Sequence, residues 1–163
     1  NGGGLVDSVT AILDDLLPEG TTVYMEDKHG KRTVYSSDEK KKETMPMAVL
    51  TSEHTASAAE IFAGAIRDFD YGTLIGTKTF GKGIVQTTIP LPDKSAVKLT
   101  MASYYTPNGE CIHEKGIEPD VELEYQFLGT EEQQYDVTLD NQIQKAVEIL
   151  TSELHENLQG RKR

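Results

Sequence analysis

Residues 58–68 constrain the chain most. Ile61, Phe62, Ala65 and Ile66 recur at helical spacing with small residues between them, which predicts a helix able to pack closely against its neighbours. Short β-rich runs stand on either side: Pro46 introduces 47–51, and 73–75 ends at Gly76. Upstream, Leu5, Val9, Ile12, Leu13 and Leu16 predict a helix over 5–17, stopped by Pro18-Glu-Gly20. Residues 21–26 and 31–36 are β-branched and tyrosine-rich, and Lys28-His-Gly30 joins them as a hairpin before a charged loop over 37–44. Downstream, 84–91 and 96–105 read as a second hairpin around Pro92-Asp-Lys-Ser95, and Pro107-Asn-Gly109 makes the next turn. A last short strand is expected over 121–125, then a polar stretch over 126–136. Ile143, Ala146, Val147, Leu150 and Leu154 give a C-terminal helix capped by Thr138 or Asp140. The alternation predicts an α/β fold with a mixed sheet and packed helices.

A chain of 163 residues has room for one core of ordinary size. Its net charge of −11 repels phosphate backbones, which argues against nucleic acid as a partner. The basic runs do not reverse this: Lys40, Lys41 and Lys42 are flanked by Asp38, Glu39 and Glu43, and Arg161, Lys162 and Arg163 form a tail. No apolar run approaches a membrane span, and the single Cys111 excludes an intrachain disulfide. The opening Asn1-Gly2-Gly3-Gly4 reads either as a flexible linker end or as a start in the middle of a fold.

Ser57, in Thr55-Ala-Ser-Ala-Ala-Glu60, stands at the N-cap of the central helix, and Glu60 completes a capping box. The same position puts a hydroxyl where the helix dipole and free N–H groups would stabilise an oxyanion. The histidines offer it poor bases. His54 lies three residues before it, His29 in a hairpin turn, and His113 and His155 in segments with no partner pattern.

Lys82 lies in Phe80-Gly-Lys-Gly83. The stretch from Gly76 to Lys82 nearly spells a phosphate loop, but Gly83 replaces the magnesium-binding hydroxyl and a strand follows where that loop needs a helix. A lysine serves as general base only if its surroundings lower its pKa from about 10.4 to about 7–8, roughly 3–5 kcal/mol of environment. Phe80, Ile84 and Val85 are the apolar residues expected to enclose it, and the flanking glycines let backbone approach closely.

Four ordered segments, Thr55 to Ile66, Thr79 to Gln86, Tyr104-Tyr-Thr-Pro-Asn-Gly109 and Lys115-Gly-Ile-Glu-Pro-Asp120, resemble the C-terminal processing peptidases, or tail-specific proteases. The resemblance covers residues 1–123, and Asp140 to Ala146 is similar to the helix that often follows. It implies the C-terminal part of a protease core related to the crotonase and Clp-protease folds over 1–125. A polar linker and helix would follow over 126–163, with the PDZ domain and first core strands lying before this chain. It implies Ser57 as nucleophile and Lys82, 25 residues on, as general base. Gln86 would orient the lysine from the same face of the strand. Backbone N–H groups of Ala58 and of Gly3 or Gly4 would form the oxyanion hole. Gly2 stands where proline is common in the family, and Glu53-His54 and Ser103 also depart from its pattern.

The implied reaction is a serine endopeptidase acting near protein C-termini through an acyl-enzyme, with no metal or organic cofactor. Its partners would be protein or peptide substrates with exposed C-termini, and unpaired sheet edges would favour self-association or pairing with the N-terminal part. The family's habit places it outside the cytoplasm, in the periplasm, cell envelope or medium, or in the plastid lumen. The rival expectations are a catalytically incomplete structural fragment of such a protease and a crotonase-like acyl-CoA enzyme.

Overall fold

A computed structural model of the chain describes residues 1–38 and 45–160. Residues 39–44, most of the charged loop with its lysine run, and the basic tail at 161–163 lie outside the described residues. Helix α1 (Val6–Leu16) turns Val9 and Leu13 inward, and Leu17 follows them into the core. Strands β1 (Gly20–Asp27) and β2 (Arg32–Ser37) form the first hairpin. At its turn the Asp27 carboxylate accepts the N–H groups of Lys31 (3.0 Å) and His29 (2.8 Å), which hold its pKa below the usual carboxylate value.

The expected strand, helix and strand at the centre are β3 (Ala48–Thr51), α2 (Ala58–Asp68) and β4 (Thr73–Gly76). The second hairpin is β5 (Ile84–Pro90) with β6 (Ala96–Tyr105). Parallel and antiparallel pairing fall into two sheets, an antiparallel one ordered β2-β1-β6-β5 and a parallel one in which β4 lies between β3 and β7 (Val121–Glu122). Helix α2 lies against α1, β1 and β4, so it is shared by both sheets. Its small residues explain how. Ala58, Ala63, Gly64 and Ala65 are all buried and leave room for neighbours on more than one side.

Strand β7 is shorter than the 121–125 run expected. Leu123 N–H still donates to Gly76 O of β4 (2.8 Å), and the backbone groups after it find partners elsewhere: Asn141 donates to Glu124 O (2.8 Å) and accepts from Gln126 N (2.7 Å), while Gln142 donates to Leu123 O (2.7 Å). Both residues open the C-terminal helix α3 (Asn141–Gly160), which packs on β3 and β4. Of the two caps anticipated, Asp140 fills the role, accepting the N–H groups of Gln142 (2.9 Å) and Ile143 (3.0 Å). The far part of the β5–β6 hairpin is exposed and carries Ile89, Val97, Leu99 and Met101 into solvent.

The other end of α2 is fastened to the loop after β6. Asp68 accepts from Arg67 (2.8 Å) and from Asn108 N–H (2.9 Å), and Arg67 also reaches Glu110 (2.6 Å). Burial works against the Arg67 charge, but these two carboxylates outweigh it and hold its pKa above the usual value.

Candidate active site

Ser57 caps α2 with φ 59° and ψ −125°, a left-handed φ that serine seldom adopts. The surrounding bonds hold it there. Ala56 N–H donates to Asn1 O (3.0 Å), Phe80 N–H donates to Thr55 O (2.9 Å), and the buried Thr55 hydroxyl accepts from Ser52 N–H (3.0 Å). Of the capping box anticipated for Ser57 and Glu60, the Glu60 half is bonded, its carboxylate accepting Ser57 N–H at 2.9 Å, while Glu60 N–H donates to Ser57 O (2.8 Å).

Glu60 does more than cap. It is fully buried, and its carboxylate gathers four donors from two segments of the chain. Oε1 accepts the Thr79 hydroxyl (2.6 Å) and Gly81 N–H (2.7 Å), and Oε2 accepts Ser57 N–H and Lys82 N–H (2.8 Å). The backbone nitrogens of Ser57 and Lys82 therefore share one oxygen and lie no farther apart than two hydrogen bonds laid end to end. Thr79 extends the network by accepting Ile117 N–H (2.8 Å). Spacing alone shows Glu60 as a cap, and the second half of its role depends on residues 79–82 folding back onto it.

Lys82 is half-buried between two glycines. A Cβ on Gly83 would collide with the backbone of Ile112 and His113, and Gly81 O accepts Glu114 N–H at 2.9 Å, so the 112–114 segment crosses directly over the lysine loop. Tyr104 N–H donates to Gly83 O (2.8 Å), and the Tyr104 ring lies in the core, where burial raises its phenol pKa. The segment opened by Tyr104 and the crossing 112–114 segment thus brace the loop that carries Lys82.

Phe80 was expected to help enclose the lysine, but it is 66% exposed, because Thr79 and Gly81 on either side turn inward to Glu60 and leave Phe80 facing out. Strand β5 begins at Ile84, so the alternation relating Ile84 to Gln86 does not extend back to Lys82. Gln86 is exposed and donates to Thr100 Oγ1 over 3.4 Å.

The opening glycines dock against the serine turn. A Cβ on Gly3, whose φ is +90°, would lie 2.5 Å from Ala56 O, 2.8 Å from Ala58 N and 2.9 Å from Ser57 Cβ. Gly3 N–H donates to Asn1 Oδ1 (2.9 Å). Among the described residues, the N–H groups of Gly4 and Ala58 make no hydrogen bond. His54, by contrast, faces solvent with its side chain 83% exposed and its Nε2 3.5 Å from Glu53 Oε1. Behind the lysine loop, His113 Nδ1 is buried with no hydrogen-bond partner among the described residues, a position that only the fold reveals.

The fold thus brings a serine on a strained turn, a lysine loop tied to that turn through one carboxylate and backbone N–H groups without partners into one region. The family profile of peptidase family S41 matches residues 1–123. The chain belongs to peptidase family S41. It is 40% identical over 132 residues to the chloroplastic C-terminal processing peptidase of Tetradesmus obliquus, covering 80% of this chain and 28% of that protein. It is 37% identical over 151 residues to a carboxyl-terminal-processing protease of Synechocystis, covering 93% of this chain and 35% of that protein. This S41 chain therefore spans about a third of the length of the curated relatives it matches. Its fold is similar to that of a photosystem II D1 C-terminal processing protease, with a TM-score of 0.73 at 40% identity over 80% of this chain and 34% of that one. The tricorn protease, at 22% identity and a TM-score of 0.55 over 95% of this chain and 14% of that one, shares the fold.

Proposed function

We propose that the chain carries the catalytic machinery of a serine endopeptidase that processes proteins near their C-termini, with Ser57 as nucleophile and Lys82 as general base. The observation that supports this most is the convergence of Ser57 N–H and Lys82 N–H on Glu60 Oε2. In this reading the neutral Lys82 amine takes the Ser57 hydroxyl proton as Oγ bonds to the scissile carbonyl carbon. Ala58 N–H and Gly4 N–H hold the resulting oxyanion. The C–N bond then breaks, and Lys82 returns the proton to the leaving amine. Water repeats the cycle on the ester, releasing the acid and restoring Ser57. Gln86, held only by a long bond to Thr100, turns to orient the amine. The C-terminal processing role that the relatives' names carry supports substrates cleaved near their C-termini, and the chloroplastic relative fits a location outside the cytoplasm.

The test is to trap the ester. A peptide ester substrate, quenched in acid during turnover by the complete protein, should leave its acyl group on the tryptic fragment that contains Ser57, as read by mass spectrometry. Product accumulating with an acyl group elsewhere, or with none, would overturn the assignment.

The glycine turn gives a second expectation. Gly3→Ala should lower kcat by about 100-fold or more, because the new Cβ drives the turn off Ala56 and Ala58 and spoils the oxyanion geometry. Gly4→Ala keeps its N–H and meets nothing within 4 Å, so it should retain most activity. Steady-state kinetics on the pair, with melting temperatures alongside, separates this from loss of fold.

A further inference from the structure

We infer that Asn1 is a self-modifying site, where the chain converts its own side-chain amide into an isoaspartyl link and so ages the turn docked against Ser57. Asn1 and Gly2 are both exposed, and Gly2 has no Cβ to obstruct ring closure. Among the described residues, Gly2 N–H makes no hydrogen bond, so its nitrogen is available to the amide carbon of the residue before it. Gly3 N–H donates to Asn1 Oδ1 (2.9 Å), the oxygen on which negative charge develops when that carbon is attacked. One glycine thus supplies the nucleophile and the next supplies a donor for the oxyanion.

The reaction needs only water. Gly2 N bonds to Asn1 Cγ and gives up its proton, the Cγ–Nδ2 bond breaks, and ammonia leaves with that proton, which closes a cyclic imide. Water then opens the ring at one of its two carbonyls. Opening at Cγ leaves aspartate with the main chain unchanged, and the new carboxylate still accepts Gly3 N–H. Opening at the α-carbonyl leaves isoaspartate, in which Gly2 hangs from Cγ and the backbone is one atom longer. The oxygen that accepted Ala56 N–H (3.0 Å) then belongs to a free carboxylate and no longer to the peptide that leads into Gly3. Gly3 is seated too closely to absorb this: a Cβ on it would lie 2.5 Å from Ala56 O and 2.8 Å from Ala58 N, so the added atom shifts it off the serine turn. The modification itself is independent of the Ser57–Lys82 reading. Its effect on rate rests on that reading, and a misplacement of about 1 Å costs about 100-fold.

The chain carries its own comparison. Asn108-Gly109 is also exposed, but Gly109 N–H donates to Thr106 O (2.8 Å), and among the described residues no donor meets the Asn108 side chain. Asn1 should therefore convert several times faster than Asn108.

The test holds the complete protein in warm buffer for days and follows both sites by peptide mass spectrometry. The peptide containing Asn1 should gain one mass unit, and accept methyl groups from S-adenosylmethionine through an isoaspartyl methyltransferase, before the peptide containing Asn108 does. Activity should fall in proportion to isoaspartate at position 1, each modified molecule keeping about a hundredth of its rate. Gly2→Pro removes the attacking N–H and Gly2→Val hinders it, and a Cβ at this position meets nothing within 4 Å, so both should keep amide and activity through the same incubation. Ser57→Ala should convert at the unaltered pace. An Asn1 amide that outlasts that of Asn108, or activity lost equally fast in both Gly2 variants, would overturn the inference. Full conversion to isoaspartate with activity intact would overturn the coupling of this turn to catalysis. Cleavage that persists in Ser57→Ala would overturn the nucleophile instead, so the failures are distinct.

Discussion

Lys82→Ala in the complete protein is expected to lower kcat by about ten-thousandfold or more, while leaving the melting temperature within a few degrees. The first half follows from chemistry. A serine hydroxyl without a base is a poor nucleophile, and groups that act as a unit show most of their joint effect when either is removed. Ser57→Ala should cost as much as Lys82→Ala, and the double variant little more. Lys82→Arg should not rescue, because a guanidinium stays protonated and cannot accept the hydroxyl proton. The second half follows from the fold. Lys82 contributes its backbone N–H to Glu60, and every one of these substitutions keeps that bond. His54→Ala should retain activity, since the His54 side chain lies in solvent beside Glu53. Degradation of casein by each variant reads these outcomes directly. Activity that is lost with His54 and kept with Lys82→Ala would move the base to histidine.

Glu60→Ala is expected to have the largest effect on stability, about 3–5 kcal/mol, because it leaves two fully buried donors and two partly buried ones without an acceptor. Against a total of about 5–15 kcal/mol, that is a large share of what holds a domain folded. Glu60→Gln is the more instructive change. It keeps the shape, but an amide has one oxygen, so its NH2 would face either Thr79 and Gly81 or Ser57 and Lys82. The two donors on the side that faces NH2 lose the one oxygen they share and meet a donor in its place. Urea denaturation should show both variants less stable, with glutamine intermediate. The folded fraction of Glu60→Gln should also lose kcat more than it raises KM, because the turn bearing Ser57 and the loop bearing Lys82 would no longer share one anchor. An unchanged urea midpoint for both variants would show that the carboxylate is not the strut described above.

Much of this architecture was legible in the chain. Helical spacing located α1 and α2, β-branched runs bounded by Gly and Pro located both hairpins, and the serine's place at a helix start followed from Ser57 and Glu60 three residues apart. What could not be read there depends on contacts far apart in sequence. Past the end of β7, the carbonyls of Leu123 and Glu124 are held by Gln142 and Asn141, residues from the far end of the chain. The outward turn of Phe80 is decided by Glu60, which draws in the residues on both sides of it. The presence of His113 behind the lysine loop follows from a crossing of segments that no local pattern marks.

The backbone at Ser57 has a consequence for how such a protein changes over generations. At φ 59° a Cβ is unwelcome, and of all side chains only the absence of one is fully comfortable there. Mutation guided by folding alone would therefore drift towards glycine at the very position proposed here for the nucleophile. On that proposal, a descendant freed from catalytic duty should lose this serine early and become sturdier for it. Keeping serine on that turn would then mean that selection for hydrolysis continually opposes selection for a more stable fold.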